Sequence, residues 1–272
     1  MNVLQNKRVV VIGASKGIGY HTAIQFAEHN AKLVLVARGE EQLRNVFDQR
    51  QEFIGYIQAD ISVREDCKKI LQQAKSMLGG VDILINNAAL HHRGMVGSRT
   101  PDELADMVQT NLTAPIYLSR LFLEELCQNK GTLINIASLA GCVPLPHAAT
   151  YSATKFGLRA FSLALRQEVA QTGMKVCLVS PGPVATEFIL GDLSAVSDMT
   201  LSQPMMTPQQ VATAIINITS RDRAEVKLPY LSGKLTTLGY VFPFLHRQLK
   251  PWLQKKGARR KQLLQQSRNK NH

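Results

Sequence analysis

Lys7-Arg8-Val9-Val10-Val11-Ile12-Gly13-Ala14-Ser15-Lys16-Gly17-Ile18-Gly19-Tyr20 is the stretch on which the fold turns. An apolar run of strand length stops at a glycine, and two more glycines open a segment of helical period. The run is continuous in valine and isoleucine, the pattern of a strand covered on both faces. Glycines at 13, 17 and 19 permit a tight turn and a close backbone approach. The free N–H groups of the following helix can then meet a pyrophosphate. A glycine-rich turn alone is a weak signal; its position between a strand and a helix gives it weight.

The same alternation continues outward from this unit. Lys32–Ala37, Phe53–Ala59, Asp82–Ile85, Gly131–Ala137 and Lys175–Ser180 read as further buried strands. Helical segments are expected near 17–29, 39–50, 63–78, 101–128 and 152–172. Thr100-Pro101-Asp102-Glu103 is a capping box with proline in the first turn, and Thr207-Pro208 repeats the device. Strands alternating with helices over short connections predict an α/β fold, a parallel, doubly wound sheet with helices on both faces.

Composition closes off other classes. With 272 residues, 45% hydrophobic and 19% charged, the chain can bury a large core, which excludes a disordered or collagen-like protein. Cys67, Cys127, Cys142 and Cys177 are scattered, signalling neither a disulfide framework nor a zinc site, and no metal is expected. The N-terminal apolar run leads straight into the glycine turn and reads as a strand, not a signal peptide. No apolar run is long enough to cross a bilayer. The net charge is +12, yet residues 1–226 hold 21 Lys+Arg against 20 Asp+Glu. The remaining 11 basic residues lie in 227–272, without an acid. Nucleic-acid binding by the whole protein thus loses its main support.

Three further groups point to chemistry. The second strand ends in Ala37-Arg38, where sites selective for NAD place an acid for the ribose 2′-hydroxyl; arginine suits a 2′-phosphate, and Lys16 can add a second cation. NADP(H) is therefore expected over NAD(H). Tyr151 and Lys155 are four apart in a helical segment and share one face. A nearby ammonium and an oxidised nicotinamide both favour the phenolate, bringing a group of pKa about 10 toward the working range of an acid/base. Ser138 follows the fifth strand, at the sheet edge where ligands bind, and can hydrogen-bond a substrate carbonyl.

The ordered set Gly13-x-x-x-Gly17-x-Gly19, Asp60, Asn86-Asn87-Ala88, Asn111, Ser138, Tyr151-x-x-x-Lys155 and Pro181-Gly182 resembles the short-chain dehydrogenase/reductase family over about residues 5–226. The resemblance implies one Rossmann domain over 1–227, with a seven-stranded, mostly parallel sheet. It implies Ser138, Tyr151, Lys155 and Asn111 as the catalytic set, with Lys155 also on the nicotinamide ribose and Asn111 supporting a water chain to Lys155. Cofactor contacts would come from Gly13, Ser15, Lys16, Gly17, Ile18, Gly19 and Arg38 on the phosphate side. Asp60 and Ile61 would lie near adenine, Asn87 and Ala88 near the adenosine ribose, and Pro181, Gly182, Val184 and Thr186 at the carboxamide. The family usually has glycine where Ala89 stands, which puts the local backbone path in question. The implied activity is hydride transfer between nicotinamide and a carbonyl or secondary alcohol by a cytoplasmic homodimer or homotetramer. The competing reading is a nucleotide-binding scaffold or redox sensor that acts through its basic tail.

Residues 187–206 fall where the family carries a substrate lid. Phe188 and Met205 there, and Val143, Leu145 and His147 opposite, predict an apolar pocket for a lipid-like, steroid or long-chain substrate. His91-His92 reads as a loop pair near the pocket mouth. The extension 228–272 joins an uncharged aromatic run, Leu235–Leu245, to a basic segment. Peripheral contact with an anionic membrane through 235–264 is one reading; packing over the pocket or against another subunit, with a solvated tail, is another, and nucleic acid is the least favoured.

Overall fold

The computed structural model describes residues 3–39, 44, 50–221 and 223–269. In chain order these form β1 (Arg8–Ile12), α1 (Gly17–Glu28), β2 (Lys32–Ala37), β3 (Phe53–Gln58), α2 (Arg64–Leu78) and β4 (Ile83–Asn86). There follow α3 (Pro101–Val108), α4 (Ala114–Gln128), β5 (Thr132–Ile136), α5 (Ala149–Glu168) and β6 (Lys175–Pro181). The chain continues through α6 (Glu187–Leu190), α7 (Asp198–Leu201), α8 (Pro208–Thr219), β7 (Glu225–Leu228), α9 (Tyr230–Val241) and α10 (Pro243–Asn269). The helix expected over 39–50 lies almost wholly outside the described residues.

Seven strands make one sheet in the order β3-β2-β1-β4-β5-β6-β7, and every neighbouring pair is parallel. Two-residue periodicity splits the strand side chains between two cores. Val9, Val11, Leu33 and Leu35 pack with Phe26 of α1 and Val211 and Ile215 of α8 on one face. Val10, Ile12, Val34 and Val36 meet Ile70 of α2 and Leu118 and Phe122 of α4 on the other. Each such side chain contributes about 1.5–3 kcal/mol by leaving water, so continuous apolar strands are stable only under two helical layers.

From β1 the chain steps outward to β2 and β3, then returns to β4 on the other side of β1. That reversal opens a crevice beyond the C-terminal ends of β1 and β4, where α/β sheets bind ligands. The expected helix over 101–128 is interrupted: Gln109–Thr113 forms a turn of π-helix between α3 and α4. Both expected capping boxes form. Glu103 N–H donates to Thr100 Oγ1 at 3.2 Å, and Gln210 N–H donates to Thr207 Oγ1 at 3.2 Å.

The basic extension is helical. α9 packs beside β7, and the far part of α10 lies against the 187–206 segment, the expected lid. Leu264 joins the lid's small core of Ile189, Leu193, Val196 and Leu201. Arg260 donates to the Gln203 carbonyl at 2.8 Å, and Lys261 to those of Ser194 and Val196 at 2.7 and 2.9 Å.

Candidate active site

A cavity of about 980 Å³ runs from the glycine turn across the C-terminal edges of the central strands to the lid. At its nucleotide end Gly13 has φ +77°, and a Cβ there would lie 2.8 Å from the Ala88 Cα. Asn87 Nδ2 donates to the Gly13 carbonyl at 2.8 Å, tying the end of β4 to the turn. Any side chain at Gly19 would meet the same carbonyl. These glycines keep the backbone bare at the mouth of α1, as a bound pyrophosphate requires. Ala89 is accommodated on the wall, so the methyl does not close the path.

Ser15, Gly17, Ile18, Asp60, Ile61, Pro181, Gly182, Val184 and Thr186 all line the cavity with Gly13, Asn87 and Ala88. Gly19 is absent from the wall; it packs behind the turn. Arg38 is exposed at the tip of β2. Burial works to raise the Asp60 carboxyl, but hydrogen bonds from the Ser62 N–H (2.9 Å) and hydroxyl (2.7 Å) and the charge of Arg38 outweigh it and hold Asp60 below its usual range. Lys16 lines the cavity too. Its ammonium pairs with Glu187, the first residue of α6, because that exposed carboxylate lies within its reach. Lys16 thereby links the phosphate turn to the lid.

At the far end, α5 carries Tyr151 and Lys155 one turn apart, and Lys155 Nζ lies 5.7 Å from the phenol ring centroid. Lys155 is 2% exposed and donates to the Ile136 carbonyl at the end of β5 at 2.9 Å. Desolvation lowers its pKa to about 8. The phenol of Tyr151 is pushed above its ordinary range by burial, which outweighs the opposing pull of the Ser138 hydroxyl and the Arg93 charge. In the protein alone, then, burial sets the direction for the phenol. Ser138 caps the short turn Leu139–Gly141, accepting from Ala140 N–H at 3.1 Å, and its hydroxyl donates to the Pro181 carbonyl at 3.4 Å.

Asn111 is fully buried in the π turn. Its Oδ1 accepts from Leu90 N–H and its Nδ2 donates to the Leu90 carbonyl, both at 2.7 Å. Its direct partner is therefore the loop after β4, with a longer contact of 3.5 Å to Thr154 beside Lys155. The pocket wall includes Val143, Leu145 and Phe188. It does not include His147 or Met205. His147 is exposed at φ +64°, in a loop whose carbonyl holds Gly94 N–H, and Met205 packs on the lid's own core.

Two side chains from the loop after β4 enter the site: His91, of the pair expected near the pocket mouth, and Arg93, which the sequence reading did not single out. His91 stacks on Tyr151 with ring centroids 4.1 Å apart, while His92 turns the other way, 3.7 Å from Glu103. Burial, reinforced by Arg93, His92 and other nearby cations, lowers the His91 pKa to about 3 and keeps it neutral. The Arg93 guanidinium sits 5.0 Å from the Phe188 ring centroid, and among the described residues no carboxylate pairs with it. A third residue, Gln203, also faces the cavity. His91 Nε2 and Gln203 Oε1 are buried there without hydrogen-bond partners in the protein. Unsatisfied polar atoms on the wall of a large cleft fit a polar ligand spanning it.

A parallel doubly wound sheet, a bare glycine turn at the switch point and a tyrosine–lysine pair at the other end of one cleft define a nucleotide-dependent oxidoreductase. The chain matches the short chain dehydrogenase model over residues 7–194. It is 33% identical over 218 residues to an uncharacterized oxidoreductase of Staphylococcus aureus, covering 79% of this chain and 92% of that one. Ketoacyl reductase HetN of Nostoc is 31% identical over 234 residues, 83% of this chain and 79% of the relative. The solved 3-ketoacyl-(acyl-carrier-protein) reductase of Brucella melitensis, complexed with NADH, superposes with a TM-score of 0.76 at 25% identity, covering 83% of this chain and 97% of that one. The protein belongs to the short-chain dehydrogenase/reductase family.

Proposed function

We propose that this oxidoreductase is NADP(H)-dependent and interconverts a carbonyl and a secondary alcohol on an apolar, long-chain substrate, with Tyr151 as the general acid/base. The burial of Lys155 beneath Tyr151 carries this reading, since a cation excluded from water is an unfavourable arrangement for a mere scaffold. The nucleotide, when bound, supplies or accepts the hydride. Ser138 orients the substrate oxygen, Tyr151 gives it a proton, and Lys155 favours return of the phenol to its working state. His91, stacked and neutral, walls the phenol off from water. The exposed Arg38 supports a 2′-phosphate at the tip of β2, a site where an acid would repel it. Apolar Val143, Leu145, Phe188 and Ile189 support a hydrocarbon substrate, as does the likeness to two ketoacyl reductases. In this reading the enzyme is cytoplasmic, consistent with four free thiols, and works as a homo-oligomer.

The test is a panel of carbonyl compounds followed by NADPH absorbance, repeated with NADH. Tyr151→Phe should lose turnover and keep NADPH binding, and Arg38→Glu should shift preference toward NADH. Full turnover by Tyr151→Phe would overturn Tyr151 as the acid/base, and a parent protein that turns over none of the panel would leave the scaffold reading standing.

A further inference from the structure

α9 is turned inside out. Its sequence, YLSGKLTTLGYV, places small and hydroxyl side chains toward β7 and large apolar ones toward water. Gly233 is buried against the Lys227 stem, and Lys227 Nζ donates to Thr237 Oγ1 at 2.8 Å. Leu231, Leu235, Leu238 and Phe242, spaced four, three and four apart, are 73%, 66%, 47% and 51% exposed. A stripe with that spacing ordinarily faces a core. The apolar surface continues onto α10 through Phe244, Leu249 and Trp252, all more than half exposed. A patch of this extent marks a contact surface.

The charge around it says what the contact is. Lys234 and Lys256 lie over the Tyr230 and Trp252 rings at 4.6 and 5.3 Å, Lys250 and Lys255 neighbour Trp252 in the sequence, and the sequence from 227 onward contains no acid. A second copy placed symmetrically on this face would oppose two acid-free basic segments, so like charges would repel. An anionic lipid surface instead offers an apolar layer for the stripe and phosphate headgroups for the lysines. Among the described residues no helix is long and apolar enough to cross a membrane. We propose that α9 and the first half of α10 seat the protein on the surface of an anionic bilayer, with Leu231, Leu235, Leu238 and Phe242 in the acyl boundary and the lysines at the headgroups.

Trp252, the only tryptophan, lies in the patch and reports on it directly. The full chain is mixed with phosphatidylcholine vesicles with and without phosphatidylglycerol, and in parallel with a duplex oligonucleotide. The expected result is a blue shift of Trp252 emission and co-sedimentation with the anionic vesicles alone, weakened by salt. Leu235→Asp and the combination Lys250→Glu, Lys255→Glu and Lys256→Glu should each cut co-sedimentation at least roughly tenfold. Leu235, Lys255 and Lys256 are exposed and Lys250 is half-buried, and all lie outside the cleft, so both sets should leave NADPH binding unchanged, which separates failure here from failure of the enzymatic reading. Absence of any vesicle-dependent shift would overturn the proposal. So would a response to the oligonucleotide alone, or a self-association in solution that Leu235→Asp abolishes without any vesicle binding to lose.

Discussion

Lys155 shows how a single residue trades stability for chemistry. Its amine is buried with one carbonyl partner, and its pKa falls from 10.5 to about 8. A lowered lysine pKa means the unfolded chain holds the proton more tightly than the native one. Folding is therefore penalised below pH 8, and the penalty fades as pH rises from 8 toward 10.5. Lys155→Met should then be more stable than the parent at pH 7, by at most about 3 kcal/mol, with the difference gone near pH 10.5 and turnover lost throughout. Thermal melts across that range check the sign; a variant less stable at pH 7 would show that the bond to Ile136 outweighs desolvation. The Tyr151/Lys155 pair was legible because helical spacing alone puts four-apart residues together. The stacking of His91 on the phenol and the entry of Arg93 were not, because the loop after β4 has no period and only its path shows which side chains enter the cleft. The same blindness misplaced His147, whose left-handed backbone aims it away.

At the level of elements, the π turn Gln109–Thr113 matters most. The sequence reads as one helix over 101–128 because the extra residue of a π turn leaves propensity and apolar content almost unchanged. Its effect is to aim Asn111 at both backbone groups of Leu90, fixing the loop that carries His91 and Arg93. Asn111→Ala leaves that buried N–H and carbonyl unsatisfied. It should cost about 2–3 kcal/mol, read as a lower urea midpoint at unchanged slope, and should depress turnover. β7 is the counterpart at the sheet edge. Its four residues, EVKL, contain no apolar run, and what holds them is polar: Arg159 grips Glu225 with bonds of 2.9 and 3.1 Å, and Ser180 donates to it at 2.9 Å. Burial favours the neutral acid, but Arg159, Ser180 and Lys227 hold Glu225 below its usual range. Arg159→Met removes three of that carboxylate's bonds and leaves it to Ser180 and Lys227, at a cost of about 2–3 kcal/mol at neutral pH. Because the Glu225 pKa is depressed in the fold, the loss should be present above about pH 4 and shrink as both chains are acidified below it. Denaturant melts at pH 7 and pH 3.5 compare the two.

Across the whole molecule, the lid is completed from far away in the chain. Arg260 and Lys261 bond to three lid carbonyls, and Gly257 lies so close to Asp198 that no side chain fits between them. Arg260→Ala combined with Lys261→Ala should leave NADPH affinity unchanged and raise the substrate KM about tenfold or more, since three charge-assisted bonds of about 1.5–3 kcal/mol each are removed. Steady-state kinetics measure the split. The basic extension was conspicuous in the sequence, but this use of it was not. A cation that binds main-chain carbonyls needs no matching acid, so charge pattern alone cannot locate its partner. Ribosomes deliver residues 257–261 last among these parts, after both ends of the crevice have emerged and can begin to fold. In that order the bonds from Arg260 and Lys261 to carbonyls of residues 194–203 are the last of these contacts to form. On the proposed reading, a message cut short before codon 257 should yield a protein that still binds NADPH but leaves the far end of the cleft open to the surrounding water.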